Sequence, residues 1–246
     1  MLGLAVGDAL GLPLENLSPR RGRKLFRHID RHQFFFGKGV FSDDTEHACI
    51  TAQALLTSGG DPALFRRRLA RGLRWWVAGF PAGTGRATLQ SCLKLWLGWS
   101  PETSGVFSAG NGPAMRSPLL GVCFGDDRPK LREFVRASTR ITHSDPKAEV
   151  GALAVAWAAY RAAEGRSGPP PEPLQFLAEL RELLGAEPAA AKLFERLDGL
   201  AAHLAAGKST EEFARSLDLA RGVSGYMFHT VPVAIYAWLR HPDDFR

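Results

Sequence analysis

At 246 residues with 45% apolar side chains, the chain has material for a large hydrophobic core, which excludes a disordered or fibrous protein. Its 31 Lys and Arg against 25 Asp and Glu leave a net charge of +6, an excess that favours acidic or phosphorylated partners only where it is clustered. No apolar run approaches the roughly 18 residues that span a bilayer, and the N-terminus has neither a basic leader nor a small-residue cleavage site, so the expectation is a cytoplasmic protein with no membrane partner.

In chain order, apolar residues recur mostly at three and four, and no run of alternating strands appears, which predicts an all-α fold. "GLAVGDALGLPLE" comes first, and residues 11–44 read as non-helical. They include a basic cluster of Arg20, Arg21, Arg23, Lys24, Arg27 and Arg31. Helices are predicted over 45–57 and 62–78, the second capped by Asp61. On it Arg67, Arg71 and Arg74 share a solvated face opposite Leu69, Leu73 and Trp76. After a loop at 79–86 comes a helix over 86–98, then a long non-helical segment, 99–128. Further helices follow over 130–138, 147–164, 174–184, 188–206, 210–220 and 231–240. The helix at 147 has Ser144 or Asp145 as cap and Gly165 as stop, and the one at 210 has Ser209 or Thr210 as cap. "GRSGPPPEP", residues 165–173, reads as a surface loop within a single compact multi-helix domain spanning 1–246. Cys49, Cys92 and Cys123 form no CxxC pair and sit in apolar contexts, so they are expected as reduced, buried thiols.

Four stretches carry candidate chemistry. "SDDTEHACITAQAL" opens a helix with two adjacent carboxylates, Asp43 and Asp44, between Ser42 and Thr45. One cap needs only one such residue, and two neighbouring carboxylates repel each other. The stretch is therefore either a well-capped helix start or part of a site for a hard cation that prefers oxygen ligands. "SAGNGPAMRSPLLG" is a glycine-flanked loop, either a simple turn or a phosphate cradle. "ITHSDP" places His143 before a helix cap, as a satisfied buried histidine or as a ligand donor. Glu15, beyond Asp8 on the other side of Gly11 and Pro13, is either a surface carboxylate or an acid aimed into a site. His203 and His229 look structural.

Taken together and in order, these motifs and the later "GYMFHTVPVAIYAWL" resemble the ADP-ribosylglycohydrolase family. That family includes dinitrogenase-reductase-activating glycohydrolases, ADP-ribosylarginine and ADP-ribosylserine hydrolases, and J-type crystallins. The resemblance implies an all-α orthogonal bundle with a binuclear Mg²⁺ or Mn²⁺ centre that binds ADP-ribose, or an ADP-ribosylated protein, and cleaves the C1′ bond to a modified side chain. Ser42, Asp43 and Asp44 match the first group of metal ligands. Glu15 matches the acidic residue after the GD motif and, with Asp44, is the expected catalytic carboxylate. Ser108, Ala109, Gly110, Asn111 and Gly112 match the loop around the phosphates, and His143 matches a ligand-contacting histidine.

Two departures bear on this expectation. A Gly-Gly-Asp-Thr-Asp-Thr-like segment with the remaining metal ligands is not found after "HTVPVAIYAWLRHPDDFR", whose Asp243 and Asp244 do not match it, and the chain starts at the edge of its first motif. It therefore reads as trimmed at both ends. Gly83 stands where some relatives carry an Asp, which weakens the case for arginine-linked substrates. Two other classes compete: a non-catalytic relative that binds ADP-ribose or is structural, and a basic nucleic-acid-binding protein. No aromatic-interleaved basic stripe supports the second, so no nucleic-acid partner is expected.

Overall fold

Short polar caps followed by proline start many of the helices in the computed structural model, which describes residues 1–15, 17–26, 30–81, 83–165, 171–185 and 187–242. The chain runs through α1 (Leu2–Gly11), α2 (Pro19–Leu25), α3 (Asp43–Ser58), α4 (Pro62–Val77), α5 (Arg86–Trp96), α6 (Gly112–Phe124) and α7 (Arg128–Arg140). It continues through α8 (Pro146–Glu164), α9 (Pro173–Leu184), α10 (Pro188–Leu197), α11 (Leu200–Ala205), α12 (Thr210–Ser216) and α13 (Met227–Arg240). Asp61, Asp145 and Glu172 each accept a backbone N–H from the first turn of α4, α8 and α9, with Pro62, Pro146 and Pro173 in that turn. Ser209 and Glu212 form a reciprocal capping box on α12. Among the described residues β-pairing is confined to two isolated bridges, Val106 with His143 and Gly110 with Tyr226, so the fold is all-α.

The centre of the molecule is the crossing of α6 on α8. A methyl group added at Gly121 would lie 1.9 Å from the carbonyl oxygen of Ala156, so the two backbones touch, and only glycine allows that approach. The alanine-rich face of α8 (Ala148, Ala152, Ala156) has no side chain long enough to hold neighbours away. Around the crossing, Phe65, Leu69 and Leu73 of α4 pack with Leu131, Phe134 and Val135 of α7, all buried. At the other end Phe213 of α12 stacks on Tyr236 of α13 with ring centroids 4.2 Å apart.

Several expectations need correction. Residues 11–44 contain α2, seven residues capped by Ser18 with no apolar period to announce them. Residues 99–128 contain α6, whose helical signal is obscured by Pro118 and its glycines. Pro118 offers no N–H to the carbonyl of Ala114, and the Ser117 hydroxyl donates to that carbonyl instead, at 2.8 Å. The stretch 188–206 is not continuous: Gly199 takes φ 73° and divides α10 from α11. The helix expected over 210–220 stops at Ser216, close to a positive φ at Asp218, and the last helix starts at Met227 rather than 231. All three cysteines are free thiols, but only Cys92 is buried; Cys49 and Cys123 are exposed. Most of the 165–173 loop, and Asp243 and Asp244, lie outside the described residues.

Candidate active site

The question posed by "SDDT" is answered by Ser42. Its Oγ accepts the Asp44 N–H at 3.3 Å and so caps α3, leaving Asp43 and Asp44 without a capping role. Ser42 is itself held by Asp8 of α1. One Asp8 oxygen accepts from Ser42 Oγ at 2.8 Å. The other accepts from Ser42 N at 2.8 Å, Thr45 N at 3.1 Å and Thr45 Oγ1 at 2.5 Å. Asp8 thus clamps the start of α3 to α1 and fixes the direction in which the two spare carboxylates leave the helix.

Asp43 and Asp44 enter a cleft of about 1200 Å³ that Glu15 also lines. Burial first, then the charges of Asp44 and Glu15, pushes the Asp43 carboxyl up to about 7. Burial, then Asp8 and Glu15, raises that of Asp44 to about 6. The Glu15 carboxyl is raised by burial and by Asp8. Gly83 closes over this group: a methyl group there would sit 3.2 Å from Asp43 Oδ1, and the residue has φ +84°.

Another part of the lining comes from the segment 106–112, stretched between two anchors. Val106 N donates to Thr142 O at 3.1 Å and Ser144 N to Val106 O at 2.9 Å. On the other side Asn111 N donates to Gly225 O at 2.9 Å and Met227 N to Ala109 O at 2.8 Å. Its glycines let the backbone pass close to the histidine beneath them. A methyl group at Gly110 would lie 3.0 Å from His143 Nε2, and one at Gly112 would lie 3.2 Å from His143 Cε1. Ser108, Gly110, Asn111, Gly112 and His143 all line the cleft, whereas Ala109 does not and serves through its carbonyl as an anchor. Neither the Gly110 nor the Asn111 amide is free for a ligand, since Gly110 N already donates to Ser108 Oγ at 3.2 Å.

Beneath this wall lies Arg116, fully buried and without a carboxylate partner among the described residues. Its guanidinium donates to Ser138 Oγ and Ser138 O, both at 3.2 Å, and to Thr142 Oγ1 at 2.7 Å, and lies 3.5 Å from His47 Nδ1. Burial lowers the guanidinium to about 10. Burial, then the Arg116 charge, depresses His143 to about 3 and holds His47 well below the ordinary histidine value. Both imidazoles are therefore neutral at physiological pH.

Asp8, Thr142 and Arg116 have no role in the sequence reading. The GD dipeptide was a visible signal for Asp8; an arginine four residues into a helix carries none. Of the described residues in the basic stretches at 20–31 and 66–74, only Arg23 reaches the cleft, which Arg86 and Arg221 also line, and Arg23 pairs with Glu211 across an exposed edge at 3.2 Å. His203 and His229 lie off the cleft, bonded to Gly199 O and Ser224 Oγ.

Among the described residues no group of three or more His, Cys, Asp or Glu side chains is arranged to hold a metal ion. In donor chemistry, however, Asp43 and Asp44 offer only oxygen and repel each other, and Ser42 Oγ, bonded to Asp8 and Asp44 N, keeps a lone pair. These three suit a hard divalent cation in kind.

Fold and site define an all-α protein in which a group of carboxylates and a glycine-rich segment line one cleft. The chain belongs to the ADP-ribosylglycohydrolase family, whose sequence pattern matches residues 1–246. It is 34% identical over 161 residues to an uncharacterized protein of Archaeoglobus fulgidus, a match covering 63% of this chain and 52% of the relative. It is 32% identical over 186 residues to the uncharacterized protein YegU of Escherichia coli K12, covering 68% of this chain and 54% of the relative. An ADP-ribosylarginine hydrolase, Tri1 of Serratia proteamaculans, is 32% identical over 119 residues, 43% of this chain and 31% of that protein. The chain thus spans about half the length of the first two relatives. Among solved structures, an ADP-ribosylglycohydrolase-related protein complex superposes with a TM-score of 0.63 at 25% identity, covering 99% of this chain and 75% of that one. No helix among the described residues is long and apolar enough to cross a membrane.

Proposed function

We propose that this chain hydrolyses the C1′ bond between ADP-ribose and a modified side chain. The observation that carries the reading is the meeting, in one cleft of about 1200 Å³, of Glu15, Asp43 and Asp44 with the 108–112 wall and His143. Cleavage of that bond builds positive charge on the ribose, which the carboxylates of Asp44 and Glu15 stabilise at close range. Glu15, its carboxyl raised by burial and by Asp8, takes the proton of the attacking water and returns it to the departing side-chain atom, so that the water oxygen replaces that atom on C1′. Ser108, Asn111 and Gly112 receive the pyrophosphate region. Asp43, Asp44 and Ser42 would supply the first group of ligands to Mg²⁺ or Mn²⁺ in a binuclear centre of the family type. When bound, such ions supply positive charge that orients the ribose hydroxyls and acidifies water. A reducing compartment such as the cytoplasm suits three free cysteines.

The test is release of ADP-ribose from peptides modified on arginine and on serine, with Mg²⁺ or Mn²⁺ present. The unmodified enzyme should release it. Glu15→Gln should lose at least ~100-fold in kcat with ADP-ribose binding retained, and Asp43→Ala with Asp44→Ala should abolish metal titration by calorimetry. A protein that neither binds nor releases ADP-ribose overturns the reading. A second reading, a relative that binds ADP-ribose without cleaving it, is favoured by the lack of a three-ligand metal group among the described residues. Binding without release from either peptide would select it.

A further inference from the structure

His143 hangs from a hydrogen-bond chain that begins at the buried Arg116, and the direction of that chain can be worked out donor by donor. A guanidinium has no lone pair, so Arg116 must donate to Thr142 Oγ1 across the 2.7 Å contact. The Thr142 hydroxyl proton then has two acceptors within reach: His143 Nδ1 at 2.9 Å and the Thr139 carbonyl at 3.5 Å. The carbonyl is the poorer one, being distant and already accepting the N–H groups of Thr142 at 3.1 Å and His143 at 2.9 Å. The opposite arrangement would have Thr142 Oγ1 accept from both Arg116 and His143 and leave its own proton that distant carbonyl alone.

We propose that Arg116 and Thr142 are positioning residues that hold His143 as a neutral imidazole with its proton on Nε2, a hydrogen-bond donor aimed at an oxygen of the ligand lying against the glycine wall. Nε2 is the nitrogen nearest Gly110, which lines the cleft as His143 does, and the ring's hydrogen bond to Thr142 is made by the other nitrogen, Nδ1. The glycines there leave the space through which an acceptor can approach. His143 so held binds and orients oxygen without giving up a proton, which leaves acid–base work to the carboxylates of the same cleft. The ligand assignment rests on the proposed ADP-ribose site; the tautomer does not.

The test is a long-range ¹H–¹⁵N correlation spectrum of the imidazoles at neutral pH, with the His143 signals assigned by their loss in His143→Gln. Nε2 is expected as the protonated nitrogen and Nδ1 as the bare one, with no titration of the ring between pH 8 and pH 5. A protonated Nδ1 overturns the proposal. Thr142→Val should shift the His143 proton toward Nδ1 and weaken ADP-ribose binding about tenfold, while Thr142→Ser keeps both. Retention of a pure Nε2–H signal in Thr142→Val also overturns it. If Thr142→Val does not fold, the unmodified protein's spectrum alone decides. The expected tautomer in a protein that fails to bind ADP-ribose supports the positioning role and counts instead against the functional reading.

Discussion

Replacing Asp8 with Asn tests whether one side chain both builds the acidic wall and charges it. The amide retains one oxygen, so the three bonds now made to a single Asp8 oxygen survive without their charge, and the fourth, from Ser42 Oγ, meets an N–H₂ group and must reverse. A charge-assisted bond exceeds a neutral one by roughly 1 kcal/mol, so four bonds give at most about 4 kcal/mol, and partial exposure halves this to about 2 kcal/mol. For a domain of this size that is a fall in Tm of roughly 4–8 °C. The electrostatic effect runs the other way. Asp8 is the leading charge that raises the Asp44 carboxyl and also contributes at Glu15 and Asp43, so its neutralisation should lower the Asp44 midpoint below about 6 and the Asp43 midpoint below about 7. A carboxyl raised above its unfolded value of 3.8 withdraws stability as pH climbs from about 3.8 to about 6, and the Asn variant should lose less over that window. Carbon-detected NMR titration of the metal-free protein, with a thermal melt, reads both effects. An unmoved Asp44 midpoint would falsify the argument that Asp8 charges the site, whatever happens to Tm.

Other expectations follow from the same geometry. Gly121→Ala places a methyl group 1.9 Å from the Ala156 carbonyl and should cost more than about 3 kcal/mol, whereas Gly11→Ala, which meets nothing within 4 Å, should change chemical-denaturation midpoints little. His143, depressed to about 3, stays neutral while the unfolded chain takes up a proton below about 6.5, so the native state loses stability as pH falls. From pH 6.5 to 5 this amounts to about 2 kcal/mol for that residue, and urea midpoints of His143→Gln should show a correspondingly shallower loss. Gly83→Asp should strain the φ +84° backbone by roughly 1–3 kcal/mol and push the Asp43 midpoint higher still, because the new side chain starts 3.2 Å from Asp43 Oδ1.

Which parts of the molecule could be read from sequence follows from the range of the interactions that make them. Helix starts at Asp61, Asp145 and Ser209 are local chemistry, and so is the Ser42 cap; all were visible. The glycines at 108–112 left a simple turn and a close approach both open, and the neighbour that they pass, His143, is named only by the fold. α6 was hidden by its own proline, whose missing N–H is compensated by a serine that sequence patterns do not credit. Arg116 was hidden for a different reason. Arginine is read as a surface residue, and a buried one held by hydroxyls, a carbonyl and an imidazole leaves no pattern along the chain. The Asp8 clamp joins residues 34 and 37 positions apart, beyond the reach of any periodicity.

The cleft draws its lining from the segment after α1, from α2 and from the start of α3, and also from α13 and the turn before it, far along the chain, with Glu15 and Val233 facing the same space. Closure of such distant segments is entropically slow and comes late in folding. During synthesis on the ribosome the carboxylates of α3 would emerge long before the residues that complete their pocket. A nascent chain would therefore pass through a period in which it can collapse around α6 and α8 with its cleft unformed, and completion of the cleft would report that α13 has docked.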